Sequence, residues 1–74
     1  IFSKKFDIIF MDPPYKEKYL SPLLKKINTS KVLNNKGIII IHRHKKENDN
    51  LPDEFKIIEQ KTYGISKIIF GNFN

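Results

Sequence analysis

The hydrophobic residues of this chain are grouped in short continuous runs separated by charged and polar segments. The first run is Ile8 to Met11 and the second is Ile38 to Ile41. Both are rich in β-branched residues, and continuous apolar runs of this length are typical of strands covered on both faces in a parallel sheet. The sequence therefore predicts two parallel strands of an α/β fold.

The segment between the two runs has helical periodicity. Ser21-Pro22 supplies an N-cap followed by proline at the first helical position, which predicts a regular helix from Pro22 to about Asn28, with a looser turn from Lys16 before it as an option. Its apolar face consists of Tyr19, Leu20, Leu23, Leu24 and Ile27, and Tyr19 is expected in the core. Strand, helix and strand then form one right-handed crossover unit.

A second, shorter helical turn is expected after this helix. It would hold Val32 and Leu33 inward and end at residues 34–37, Asn-Asn-Lys-Gly. Asn and Gly are the residues that most readily adopt a positive φ, so we expect such a conformation there.

The final third of the chain predicts an antiparallel hairpin. Phe55 to Tyr63 and Ser66 to Phe70 are rich in strand formers and are separated by Gly64-Ile65. Tyr63 is expected to close the core beneath this hairpin. The charged segment 42–53 lacks periodicity and is predicted to be a surface loop.

Length and composition narrow the class of protein. A chain of 74 residues can form one small domain, and the absence of cysteine excludes disulfides and thiolate metal sites. The longest apolar segment, Gly37 to Ile41, is far too short to span a membrane, and the first residues lack the layout of a signal peptide. We therefore expect a cytoplasmic protein that does not associate with membranes.

No metal site is expected. His42 and His44 lie on one face if the second strand continues that far, but no third ligand is evident in the sequence. We interpret both histidines as exposed residues at the end of the strand.

The strongest candidate for chemistry is Asp12-Pro13-Pro14-Tyr15, directly after the first strand. The two prolines restrict the backbone and have no N–H, so the Asp12 carboxylate and the Pro13 carbonyl are acceptors without a nearby donor. They are held beside the ring of Tyr15 at the carboxyl end of a strand, where ligands bind in open α/β sheets. A strand-ending turn without function is the alternative.

This arrangement suits methyl transfer to a planar amino group. The lone pair of an exocyclic amine is drawn into its ring, so the nitrogen becomes nucleophilic only when it is pulled toward tetrahedral geometry. If Asp12 and the Pro13 carbonyl each accept one N–H, the lone pair points away from both, while Tyr15 stacks on the ring. The carboxylate then stabilises the positive charge that develops on the nitrogen, and no general base is needed beforehand.

The net charge of +6 is consistent with an RNA partner, and the positions of the cations matter more than their total. Both predicted parallel strands are followed by basic residues at the same edge of the sheet. We expect these residues to bind RNA phosphates, with a solvated charged loop as the alternative for each lysine. They are Lys16, Lys18, Arg43, Lys45 and Lys46.

The tetrapeptide at residues 12–15 resembles the fourth motif of S-adenosylmethionine-dependent amino-methyltransferases, which reads Asp or Asn, Pro, Pro and an aromatic residue. All four positions match. The order of this motif, a helix, Asn-Lys-Gly-Ile-Ile-Ile-Ile, Leu51-Pro52 and Tyr63-Gly64-Ile65-Ser66-Lys67 is similar to the C-terminal half of the bacterial RsmD-like family. That family methylates the N2 amine of a guanine in small-subunit (16S) ribosomal RNA. One departure is His42, where the family usually carries Glu.

The resemblance implies both a fold and a site. The fold would be the C-terminal half of a Rossmann-like class I methyltransferase sheet, with strands in the order 4-5-7-6, an antiparallel last hairpin and one main crossover helix. The catalytic residues would be Asp12, Pro13, Pro14 and Tyr15, and the cofactor S-adenosylmethionine would meet this chain only at Asp12, on the edge of its site. Ribosomal RNA, or the assembling small ribosomal subunit, would be the partner.

The cofactor-binding half is not recognisable in this sequence. The three glycines are isolated, so there is no glycine-rich loop after a strand. We therefore expect residues 1–74 to be a single partial domain, inactive alone, whose N-terminal half is absent. The strand at Ile8 to Met11 is then an apolar edge that would pair with that missing half or form a dimer.

Other targets remain open at this stage. The same acceptor geometry serves enzymes that methylate the N6 amine of adenine in DNA or the side-chain amide of glutamine in proteins. A non-catalytic, basic RNA-binding module is the alternative from a different class.

Overall fold

A computed structural model describes residues 4–13 and 20–73 of the chain. Its elements are β1 (Phe6–Met11), α1 (Leu20–Ser30), β2 (Leu33–His44), β3 (Lys56–Tyr63) and β4 (Ser66–Asn72). The strands form one sheet in the order β1-β2-β4-β3. β1 and β2 are parallel, whereas β4 is antiparallel to both β2 and β3. The predicted strand order and the antiparallel hairpin are confirmed.

The core lies between α1 and one face of the sheet. Leu24 of the helix and Ile39 and Ile41 of β2 are completely buried. The rest of the core cluster consists of Met11, Leu20, Phe55 and Ile69. The amphipathic helix thus covers the centre of the sheet and holds β1, β2 and β4 in one unit.

The opposite face of the sheet is apolar and is not covered by a helix of the described residues. We call it the open face, and it is formed by Ile8, Phe10, Ile38, Ile40, Ile68 and Phe70, which share one side by strand register. The side chains of Ile8 and Phe10 are 63% and 62% exposed. The prediction that β1 is buried on both faces is therefore wrong, because the described residues pack one layer, α1, against the sheet.

The helix is longer than predicted, since it extends from Leu20 to Ser30 rather than from Pro22 to about Asn28. Its last turn is followed by Lys31 with a φ of 56°, and the N–H of Lys31 donates to the carbonyl of Asn28 at 3.3 Å. A residue in the left-handed conformation commonly ends a helix, and here Lys31 has this role directly after Ser30. The expected positive φ at residues 34–37 was therefore placed too late in the chain.

The expected second helical turn is also wrong, because β2 begins at Leu33. Phe6 pairs with Leu33 and Ile8 with Ile38, so residues 34–37 bulge out of the parallel ladder. The Asn- and Gly-containing segment interrupts a strand here, which is a known use of such residues.

The hairpin turn is formed by Gly64 and Ile65, and Gly64 has a φ of 57°, a conformation that glycine adopts without strain. Tyr63, expected in the core, is 61% exposed on the edge strand β3. Phe55 occupies the core position instead and lies over Gly71, where there is no side chain to obstruct its ring. Tyr19 lies outside the described residues.

No helix in the described part of the chain is long and apolar enough to cross a membrane.

Candidate active site

The end of β1 brings Asp12 beside β2. Met11 pairs with Ile41 in the parallel ladder, so the residues that follow each of them, Asp12 and His42, lie next to one another at the carboxyl ends of the strands. β4 begins at Ser66 and runs antiparallel to β2, which places Ser66 at this same edge. Three side chains that are far apart in the sequence thereby meet.

The imidazole of His42 lies between the other two side chains. Its Nδ1 is 3.0 Å from Oδ1 of Asp12, and its Nε2 is 3.0 Å from Oγ of Ser66. The side chain of Asp12 is 61% exposed and that of His42 is 37% exposed. The carboxylate therefore faces solvent, as a group that binds a substrate must, while one of its oxygens is held by the sheet.

A cleft of about 230 Å³ opens beside these residues. It is lined by Asp12, Pro13, His42, Arg43, His44, Ile65 and Ser66. Its position at the carboxyl ends of the parallel strands is the one at which open α/β sheets bind ligands.

Asp12 and Pro13, the residues of the two predicted acceptors, both line this cleft. Asp12 points outward rather than into the core, and among the described residues no hydrogen bond from another strand reaches the carbonyl oxygen of Pro13. Pro14 and Tyr15, the remaining members of the predicted catalytic motif, lie outside the described residues. The stacking surface expected from Tyr15 therefore stays a prediction.

Arg43 has a different environment from the one expected. Its side chain is buried, and its Nε is 3.0 Å from both carboxylate oxygens of Asp49, whose side chain is 8% exposed. A further guanidinium nitrogen lies 2.8 Å from Oδ1 of Asp49. The exposed position expected for Arg43 is thus corrected: the alternation of β2 turns this side chain to the helix-covered face, where it anchors the loop after β2.

Lys45 and Lys46 are exposed, as expected, at the end of β2 next to the cleft. The backbone N–H of Lys45 donates to the carbonyl of Ile65 at 2.8 Å, and the side chain of Lys67 donates to the carbonyl of Glu47 at 2.6 Å. These bonds attach the basic loop to the hairpin beside Ser66. Lys16 and Lys18 lie outside the described residues.

Lys61 lies on the edge strand β3. The pKa of Lys61 is raised, because a hydrogen bond and Coulomb attraction to Glu59 stabilise its charged form. The two side chains are 3.3 Å apart and both are about half exposed. Glu59 offsets this charge, so Lys61 adds less to the basic surface than Lys45 and Lys46.

The described residues do not fit the main part of a cofactor site. Gly37 and Gly71 lie within β2 and β4, and Gly64 is in the hairpin turn, so none of them forms a phosphate- or ribose-binding loop between a strand and a helix. The described glycines therefore provide no cofactor-binding loop beside Asp12 and Pro13.

Ser66 is a site residue that was not among those predicted. The hairpin turn at Gly64-Ile65 could have indicated it, because this turn makes Ser66 the first residue of the strand that pairs with β2. Recognising its contact with His42 required the register between β2 and β4, which is a tertiary property.

Known proteins of similar sequence and structure include several methylases. Residues 2–72 match the family described as conserved hypothetical protein 95. The uncharacterized methylase RP545 of Rickettsia prowazekii is 34% identical over 67 residues, which are 90% of this chain and 28% of that relative.

Three solved structures share the fold. A conserved hypothetical protein of Streptococcus pyogenes has a TM-score of 0.79 at 23% identity, over 96% of this chain and 46% of that one. The proposed methylase HI0767 of Haemophilus influenzae has a TM-score of 0.74 at 20% identity, over 99% of this chain and 47% of that one. The proposed methyltransferase yhhF of Escherichia coli has a TM-score of 0.71 at 16% identity, over 92% of this chain and 37% of that one.

The chain spans less than half the length of these relatives. The match nevertheless includes both strands that carry the cleft and the hairpin that borders it. The chain therefore belongs to the family described as conserved hypothetical protein 95, the RsmD-like family that its sequence resembles.

Proposed function

We propose that this chain is the target-binding half of an S-adenosylmethionine-dependent methyltransferase that acts on the exocyclic N2 amine of a guanine in small-subunit ribosomal RNA. The observation that carries the proposal is the pair of acceptors at the end of β1. The Asp12 carboxylate is exposed at the cleft, and Pro13 lies beside it on the same wall. Membership of a family with methylase relatives supports the reaction class.

The role of each acceptor follows from the chemistry of an aromatic amine. One N–H donates to the free oxygen of Asp12 and the other to the carbonyl of Pro13, which directs the nitrogen lone pair away from both. The carboxylate then offsets the positive charge that forms on the nitrogen as the methyl group arrives. S-adenosylmethionine would supply that methyl group as an electrophile, and Asp12 would lie only at the edge of its site.

Ribosomal RNA is the proposed partner because the entrance to the cleft is basic. Lys45 and Lys46 are exposed in the loop attached to the hairpin. RNA phosphates bound by these lysines would position the RNA strand beside Asp12, and they would do so independently of the RNA sequence. Lys16 and Lys18 follow Asp12 in the chain and are proposed to act in the same way. The proposed location of the protein is the cytoplasm, where it would encounter ribosomal RNA.

We propose that the cofactor-binding half covers the edge strand β1 and the open face of the sheet. β1 is an edge strand of the described sheet, and Ile8 and Phe10 on the open face are exposed. An added strand beside β1 and a helix over the open face would bury them. In the absence of that half, the same surface is expected to form dimers, which sedimentation of the isolated chain can detect at increasing concentration.

The reaction is tested in the complete methyltransferase that contains residues 1–74. Purified small-subunit RNA lacking the modification is incubated with S-adenosylmethionine, and the nucleosides are analysed by mass spectrometry for N2-methylguanosine. We expect Asp12→Ala to lower kcat by about 10²- to 10³-fold while S-adenosylmethionine affinity is largely retained. Asp12→Asn keeps an acceptor oxygen and should retain more activity than Asp12→Ala.

Other outcomes separate the alternatives. Methyl transfer to adenine in DNA or to a glutamine side chain, with unmodified guanine, would contradict the proposed target and keep the reaction class. RNA binding that survives Asp12→Ala, without any methyl transfer by the unmodified enzyme, would indicate a non-catalytic RNA-binding protein.

The RNA contacts have their own test. Lys45→Ala and Lys46→Ala should each reduce the slope of log Kd against log salt by about 0.7 to 1. Lys36→Ala is the matched control, because Lys36 is an exposed lysine near the opposite end of β2. An equal effect of all three substitutions would argue against a basic surface at the cleft.

A further inference from the structure

His42 connects the Asp12 carboxylate, which is proposed to bind the target amine, to the β3–β4 hairpin. Its two ring nitrogens contact side chains from two other parts of the chain, Asp12 after β1 and Ser66 at the start of β4, each at 3.0 Å. All three residues line the cleft. An imidazole with both nitrogens engaged has a defined ring orientation, unlike a histidine that only faces solvent.

The partners determine where the proton of a neutral imidazole resides. An ionised carboxylate can only accept hydrogen bonds, so Nδ1 must carry the hydrogen that is directed at Asp12. Nε2 then has a free lone pair, and the hydroxyl of Ser66, which can rotate, donates to it. The arrangement is Ser66 O–H to His42 Nε2, and His42 Nδ1–H to Asp12 Oδ1.

This arrangement has a consequence for the carboxylate. The terminal torsion of an aspartate is broad, and an exposed carboxylate rotates freely between several orientations. Asp12 is 61% exposed, but its Oδ1 is held by the imidazole, which leaves Oδ2 to accept from a ligand in the cleft. A single fixed acceptor oxygen is what orienting an amine next to a second acceptor requires.

We propose that His42 is a positioning residue that orients the Asp12 carboxylate toward the target amine, and that Ser66 holds the His42 ring in the orientation in which it does so. This inference rests on the proposed methyl transfer at Asp12. It assigns His42 and Ser66 no contact with the reacting atoms, and their effect is exerted through the orientation of Asp12.

Two amide substitutions distinguish the two contacts of the imidazole. In His42→Asn, the side-chain NH₂ occupies roughly the place of Nδ1 and can still donate to Asp12, but nothing reaches Ser66. In His42→Gln, the amide reaches approximately to the place of Nε2 and can contact Ser66, while the bond to Asp12 is lost. The two variants have the same functional group, so they differ mainly in which contact remains.

The kinetic experiment compares these variants in the complete enzyme with small-subunit RNA. We expect His42→Gln to lower kcat by about 10- to 100-fold, with the KM for RNA changed less than about threefold. The kcat of His42→Asn should stay within about fivefold of that of the unmodified enzyme. Equal kcat values for the two variants, or a loss that appears only in KM, would overturn the inference.

A spectroscopic measurement tests the hydrogen bonds independently of turnover. ¹⁵N NMR of the histidine-labelled enzyme reports which ring nitrogen of a neutral imidazole carries the proton. We expect the signal that disappears in His42→Asn to be that of an Nδ1-protonated ring. Asp12→Ala should shift this signal toward the Nε2-protonated form, because the Ser66 hydroxyl can then accept from Nε2–H. An Nε2-protonated ring in the unmodified protein would overturn the inference.

The two measurements also separate this inference from the proposed function. An Nδ1-protonated His42 in an enzyme that methylates no amine would refute the proposed function and, with it, the positioning role. Active methylation combined with full activity of His42→Gln would refute the positioning role and leave the proposed function in place.

Discussion

Removal of the Asp49 carboxylate should destabilise the protein more than any surface substitution in the same loop. Asp49 and Arg43 form an ion pair whose side chains are only 8% and 2% exposed, with contacts of 2.8 and 3.0 Å. At 2.8 Å and an effective dielectric constant of about 20, two unit charges attract each other by about 6 kcal/mol. Desolvation offsets much of this attraction in the native protein.

In Asp49→Ala the desolvation of the guanidinium remains while the attraction is lost. Breaking a buried pair from one side typically costs about 3–5 kcal/mol, which lowers the ratio of folded to unfolded protein by roughly 10²- to 10³-fold or more. With a urea dependence of about 1 kcal/mol per M for a protein of this size, the unfolding midpoint should fall by about 3 M or more. A small domain with a stability of only a few kcal/mol would then be unfolded without denaturant.

The assay is urea unfolding followed by far-ultraviolet circular dichroism, with two reference variants. Asp53→Ala removes an exposed carboxylate from the same loop and should change stability by less than about 0.5 kcal/mol. The double variant Arg43→Met/Asp49→Ala removes both charges and should recover at least about 2 kcal/mol relative to Asp49→Ala. The reasoning would be refuted if Asp49→Ala cost less than about 1 kcal/mol, or if the double variant were no more stable than the single one.

Two packing predictions can be checked by the same unfolding measurement. Leu24→Ala empties a completely buried position between helix and sheet and should cost about 2–5 kcal/mol, and a cost below about 1 kcal/mol would contradict the assigned core. Gly71→Ala should cost about 1–3 kcal/mol, because the added methyl would approach the Lys56 carbonyl oxygen to 2.6 Å and press on the ring of Phe55. Gly64→Ala is the comparison, since its methyl meets no atom within 4 Å and only the strain of a positive φ, about 1 kcal/mol, is expected.

Local sequence patterns predicted the elements correctly where the signal was continuous. The β-branched run Ile38 to Ile41 is in the middle of β2, and Gly64 forms the turn between β3 and β4. Strand propensity and turn chemistry are properties of a few neighbouring residues, so they can be read without knowledge of the fold. The order of the strands came from the family resemblance, which contains information that periodicity lacks.

The predictions that failed concern burial. Arg43 follows the apolar run Ile38 to Ile41 and is next to other cations, which favoured an exposed position, yet it lies within β2 and is buried against Asp49 six positions later. Tyr63 was expected in the core and is exposed, while Phe55, directly before β3, fills that place. Which of two candidate residues is buried depends on what the rest of the chain packs against it, and a local pattern does not include those neighbours.

The α/β class, the two parallel strands and the position of Asp12 at the end of the first strand were predictable from local patterns, because hydrophobic runs and prolines act on the backbone locally. The meeting of His42 and Ser66 with Asp12, and the exposure of Ile8 and Phe10 among the described residues, became visible only in the folded chain. Both features depend on strand register and on which layers pack against the sheet, and these arise from contacts between residues distant in the chain.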